Sequence, residues 1–323
     1  MARNLLLVSN SKTRDQPKVF LGYCENQVKE HFDGVKNILF IPYAEPNAVD
    51  RVIIEKLKAS GGELSIPSSE ERRNTYTELL QARFRQMGFE LKNIQYADSV
   101  IEAIREAEGF YVGGGNTYDL LRTLDCTGAI GALRERISQG VPYLGVSAGT
   151  VVAGMNICTS NDNSKPNSDL DALQFVPFNI KPHYLERVEV TDGQRARIME
   201  ISPEVVALLD HQGESHLDRI MEFHHHFPYT VVGLKEGAML KVEGYDVKLL
   251  GTSNARVFRR EAFVNFYELP EIYNPGDSLD FLIRNAPKEK VSSREVLHEA
   301  FTGPGSWLAS LDPISRHLYL TGG

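Results

Sequence analysis

Residues 145–149 read Gly145-Val146-Ser147-Ala148-Gly149, a serine with a glycine two places away on each side. Between a strand and a helix, Gly-x-Ser-x-Gly places its serine on a sharp turn whose crowding only glycines relieve, with the hydroxyl exposed at the end of the strand. The context matches: apolar Pro142–Val146 precedes the motif and Ala148–Met155 continues with helical character. Ser147 is therefore the candidate nucleophile for acyl transfer, with the N–H of Ala148 as a candidate oxyanion donor. A second turn, Val112-Gly113-Gly114-Gly115-Asn116-Thr117, also runs from a strand into a helix. It lacks the third glycine of a dinucleotide loop and the Gly-Lys-Ser/Thr of a phosphate loop. Donation of an N–H to an oxyanion suits it better, and an ordinary tight turn is the plain alternative.

A serine needs a base, usually histidine, and a carboxylate to hold the imidazole. Of nine histidines, His183 stands out, because it follows an apolar strand-like segment and Pro182. The His224-His225-His226 triplet reads as a solvated helix end rather than a metal site, since consecutive helical residues diverge. His31, His211, His298 and His317 read as surface residues.

These residues are set in short apolar runs alternating with amphipathic stretches. Strands are expected at Asn4–Ser9, Asn37–Pro42, Ile94–Ala97, Gly109–Val112 and Pro142–Val146. Helices are expected at Asn47–Ser60, Thr75–Met87, Val100–Glu108, Thr117–Leu124 and Ala129–Ser138. That order implies βαβ units and a mainly parallel sheet with helices on both faces. Beyond residue 156, helices are expected at Val190–Leu209 and His216–Phe223. Strands at Thr230–Leu234, Ala238–Val242, Val247–Leu250 and Phe263–Leu269 suggest an antiparallel extension of the same sheet. The segment after Pro270 reads as a loose appendage, so the organisation expected is a hydrolytic domain over 1–270 and a C-terminal extension over 271–323.

The chain has 323 residues, 42% of them hydrophobic, and a formal net charge of −8. An acidic balance argues against non-specific nucleic-acid binding. Three scattered cysteines, Cys24, Cys126 and Cys158, argue against a disulfide framework and for a reducing, cytoplasmic setting. The apolar run Leu5–Val8 is too short for a signal peptide, and no stretch approaches a membrane span.

The blocks Val112–Thr117, Tyr143–Gly149, Thr159–Asp162, Pro177–Tyr184 and Val231–Gly237, in this order, resemble the peptidase E (aspartyl dipeptidase) family of serine peptidases. That family is related to cyanophycinase and to the class I glutamine amidotransferases. The resemblance implies a flavodoxin-like α/β fold and a serine-type dipeptidase that hydrolyses small peptides with N-terminal aspartate (Asp-Xaa) through an acyl-enzyme, without cofactor or metal, as a monomer or homodimer. It assigns Ser147 as nucleophile and His183 as base. Glu236 or Asp162 would be the third member, and the N–H groups of Ala148 and of Gly115 or Gly114 would be the oxyanion donors. The family's substrate-binding arginine falls on His216, in Gly213-Glu214-Ser215-His216. Histidine is a weaker clamp on a carboxylate than arginine, and Arg219 or Lys165 are the candidates to supply charge. A cyanophycinase-like or broader exopeptidase, or a catalytically silent sensor on the same scaffold, are the other readings. An insertion around Leu185–Gln212 also exceeds the family length.

Overall fold

The computed structural model describes residues 2–13, 16–44, 69–162, 169–186, 215–261, 270–288 and 290–296. The expected helices Asn47–Ser60 and Val190–Leu209, the strand Phe263–Leu269, Lys165 and nearly all of the Leu185–Gln212 insertion lie outside these residues.

The strands are β1 (Asn4–Val8), β2 (Asn37–Ile41), β3 (Glu90–Asn93), β4 (Gly109–Val112), β5 (Tyr143–Val146), β6 (Asn179–Lys181), β7 (Val231–Leu234), β8 (Ala238–Glu243), β9 (Asp246–Gly251), β10 (Ala255–Phe258) and β11 (Glu271–Tyr273). The described helices are α1 (Glu25–His31), α2 (Ser69–Met87), α3 (Val100–Glu106), α4 (Thr117–Cys126), α5 (Ala129–Ser138), α6 (Ala148–Val151), α7 (His216–His226) and α8 (Phe281–Arg284).

Seven strands form the central sheet in the order β3-β2-β4-β5-β1-β8-β9. The first five are parallel, and β8 and β9 add antiparallel. Side chains alternate across each strand. Leu5 and Leu7 of β1 join the core that holds Leu120, Leu124 and Leu133 of α4 and α5. Leu6 and Val8 join the opposite core, with Val28 of α1 and Leu80 and Phe84 of α2. Both faces are covered, which is why the parallel strands read as unbroken apolar runs.

The strands after residue 178 do not all extend that sheet. β6, β7, β10 and β11 form a second sheet in the order β11-β10-β7-β6, because Val231, Phe258, Tyr184 and Phe223 build a separate small core. Several other expectations are corrected. The strand placed at Ile94–Ala97 lies at Glu90–Asn93, and Ile94–Tyr96 is a 3-10 turn. The helix after Ser147 stops at Val151, after one turn. The segment after Pro270 is packed as far as it is described: β11 pairs with β10, Leu279, Leu282 and Ile283 join the main core, and the N–H of Ser293 donates to Asp171 at 2.9 Å. His31 and His224 are buried, not on the surface.

Candidate active site

Parallel neighbours in a sheet end on the same edge, so β4, β5 and β1 deliver the glycine loop, Ser147 and the pair Ser9-Asn10 to one place. In the second sheet β6 and β7 are also parallel. Their ends deliver His183 and Glu236 side by side.

Ser147 sits at φ 53°, ψ −109°, a left-handed value that costs a residue with a Cβ and persists only where its surroundings enforce it. The enforcement is visible. The Ser147 N–H donates to the Val8 carbonyl at 3.0 Å, and the Thr150 hydroxyl donates to the carbonyls of Val8 and Gly145, both at 2.8 Å. A Cβ on Gly145 would meet the Gly149 carbonyl oxygen at 2.5 Å, and one on Gly149 would meet the Val112 carbonyl oxygen at 2.2 Å. Those contacts involve backbone that cannot swing aside. Gly149→Ala is therefore expected to cost on the order of 3 kcal/mol and to displace the turn. Gly131→Ala, with open space around its would-be Cβ on α5, is the control expected to keep or raise Tm. Thermal melts of the two variants check this.

The Ser147 Oγ lies 2.8 Å from His183 Nε2, across 36 positions of sequence, and His183 Nδ1 lies 3.2 Å from a Glu236 carboxylate oxygen. His183 is also in the left-handed region, at φ 53°. Its backbone is fixed by Ser9, which is fully buried: the His183 N–H donates to Ser9 Oγ at 2.9 Å, and Ser9 donates to the Leu234 carbonyl at 3.0 Å. Asn10 does the same for the other partner, accepting from the Gly237 N–H at 2.8 Å. Sequence reasoning took Ser9 as the end of a strand and passed over Asn10. The available signal was a polar pair at the C-terminal end of the central parallel strand.

A base that can take the hydroxyl proton is thus in contact with a half-buried serine that borders the cleft, and donors for a developing oxyanion are at hand. The amides of Ser147, Gly149, Thr150 and Val151 are all taken by carbonyls. Those of Ala148, Gly114 and Gly115 have no acceptor among the described residues. Gly114 is pressed against Ser147, since a Cβ there would come within 3.0 Å of Ser147 Cβ. Gly115, at φ 137°, has room for no Cβ at all, which would lie 2.0 Å from the Ala44 carbonyl oxygen.

Asp162 is placed elsewhere. Its carboxylate accepts from the Thr117 N–H at 2.6 Å and the Ser160 hydroxyl at 2.8 Å, so it ties down the start of α4. His216 opens α7, where its Nδ1 accepts from the Leu185 N–H at 3.2 Å. Burial, with Lys181 and His183 nearby, lowers its pKa to about 4. At neutral pH it offers one N–H and no charge. Arg219 donates to the Ser160 carbonyl at 3.3 Å and pairs with Glu222 at 2.8 Å. Lys181, which sequence reasoning missed, is buried and donates to the Thr159 carbonyl at 2.8 Å and to Asn161. Its signal was a lysine in the short, mostly apolar run before His183. A cleft of about 330 Å³ opens over Ser147 and His183.

The family model described as Peptidase family S51 matches residues 5–250. Peptidase E of Nostoc sp. is 32% identical over 290 residues, covering 88% of this chain and 99% of that protein. A protein of Drosophila melanogaster named probable alpha-aspartyl dipeptidase is 33% identical over 265 residues, covering 80% of this chain and 91% of its own. The crystal structure of a peptidase from an acI-B1 Actinobacterium matches the fold with a TM-score of 0.51 at 18% identity, over 86% of this chain and 97% of that one.

Proposed function

The chain belongs to peptidase family S51, and from that premise we propose that it is a serine dipeptidase releasing N-terminal aspartate from Asp-Xaa peptides through an acyl-enzyme on Ser147. The reading is carried by one observation: the 2.8 Å hydrogen bond between Ser147 and His183, at a serine held at φ 53°.

His183 Nε2 takes the Ser147 proton as Oγ attacks the scissile carbonyl. The amides of Ala148 and of Gly114 or Gly115 hold the oxyanion. His183 then gives that proton to the leaving amine, the C–N bond breaks, and the acyl-enzyme remains. Water enters and attacks the ester carbonyl as His183 takes its proton, the bond to Ser147 Oγ breaks, and His183 returns the proton to Oγ, freeing the acid product. Glu236 holds the imidazole in the tautomer with a proton on Nδ1 and stabilises the imidazolium. Asp162 is assigned a supporting role, through the start of α4. On the acyl side, the aspartate carboxylate goes to the neighbourhood of Lys181, Arg219 and the uncharged N–H of His216. The three cysteines are free, which accords with a cytoplasmic setting, and no described helix is long and apolar enough to cross a membrane.

The test is a panel of Asp-Xaa, Glu-Xaa, Ala-Xaa and β-Asp-Arg peptides. Asp-Xaa is expected to lead in kcat/KM. Equal rates for Ala-Xaa would remove the aspartate preference, and a lead for β-Asp-Arg would move the assignment to a cyanophycinase-like exopeptidase.

A further inference from the structure

We propose that Lys12 fixes the length of the substrate by receiving the free C-terminal carboxylate of the residue that leaves. This rests on the dipeptidase reading above and adds to it the group that recognises the leaving end.

Lys12 lines the cleft that holds Ser147, His183 and Glu236. Among the described residues it is the one lysine or arginine on that lining, and it has no carboxylate partner there. Its Nζ stands 3.9 Å from the centroid of the Phe20 ring, an attraction that holds an ammonium in place without neutralising it. Tyr76 meets the Phe20 ring edge-on at 5.7 Å, and Arg83 donates to the Phe20 carbonyl at 2.8 Å, so the aromatic wall is fixed. The loop itself is pinned: Asn10 donates to the Lys12 carbonyl, Tyr23 donates to the Asn10 carbonyl at 2.8 Å, and the Leu21 N–H donates to the Ser11 carbonyl at 2.7 Å. The backbone is held while the ammonium keeps donors for a ligand.

The side of the nucleophile follows from proton traffic. The leaving amine takes its proton from His183, so the leaving residue lies along the flank where His183 and Glu236 stand. Residues 10–12 border that flank, because Asn10 binds the Gly237 N–H next to Glu236. Lys181, His216 and Arg219 do not line this cleft. A carboxylate entering beside Glu236 would be repelled there and needs a cation. Lys12 supplies it for a free C-terminus, whereas an amide or a continuing chain offers it only a neutral carbonyl.

The experiment compares Asp-Ala with Asp-Ala-NH₂, and Asp-Ala with Asn-Ala, in unlabelled wild type, Lys12→Met and Lys12→Arg, while a separate portion of each protein is reacted with a serine-reactive phosphonate. Wild type is expected to favour Asp-Ala over its amide by roughly 10- to 100-fold in kcat/KM, as for a hydrogen bond to a charged group. Lys12→Met should bring that ratio towards one through KM, Lys12→Arg should keep most of it, and the Asp-Ala to Asn-Ala ratio should stay. A ratio untouched by Lys12→Met, or a collapse of the Asp-Ala to Asn-Ala ratio instead, overturns the assignment of Lys12 while labelled Ser147 keeps the enzyme reading. Absence of labelling in wild type would bring down both.

Discussion

Ser147→Ala is expected to lower kcat/KM for an Asp-Xaa peptide by roughly four to six orders of magnitude while Tm moves by a few degrees at most. The two halves of that expectation have separate causes. The hydroxyl makes one side-chain hydrogen bond, to His183, in a partly open cleft, and such a bond contributes only about 0.5–1.5 kcal/mol to folding. Alanine keeps the Cβ that packs against Gly114 and inherits the same backbone, held by Val8, Gly145 and Thr150. Chemistry loses its nucleophile and the fold loses little. Assay with Asp-Xaa peptides and thermal melts of both proteins check the pair of outcomes.

His183→Asn is expected to lower kcat/KM by a similar factor, and the double variant with Ser147→Ala to be no worse than either single one, because nucleophile and base act as a unit. Asparagine is the replacement of choice, since it tolerates the left-handed backbone that residue 183 adopts at φ 53°. Glu236→Gln is expected to cost much less, on the order of 10- to 100-fold. The His183 and Glu236 side chains are 43% and 44% exposed and 3.2 Å apart, so water competes with the carboxylate for the imidazole. A Glu236 variant as inactive as the His183 variant would mean that the carboxylate does more than orient.

Much of the central sheet could be read in the chain. Buried parallel strands announce themselves as apolar runs, and Gly109–Val112 and Ala129–Ser138 are found where periodicity puts them. The second sheet was not legible. β6 and β10 are three and four residues long, and nothing local says that β7 leaves the main sheet to pair with them. The turn that carries Ser147 was readable because it demands glycines at fixed offsets, and the Cβ contacts at Gly145 and Gly149 give the demand its physical form. The choice between Asp162 and Glu236 was not, since both are carboxylates in polar turns. Only the folded chain puts one against His183 and the other on α4. Ser9, Asn10 and Lys181 were missed for the same reason: each acts through backbone groups far away in sequence.

Mass spectrometry of the protein after reaction with a serine-reactive phosphonate tests the pairing of residues 147 and 183 most directly. One adduct per chain is expected, on the peptide that carries Ser147, absent in Ser147→Ala and formed far more slowly in His183→Asn. An adduct on another residue, or labelling as fast without the imidazole as with it, would contradict the account.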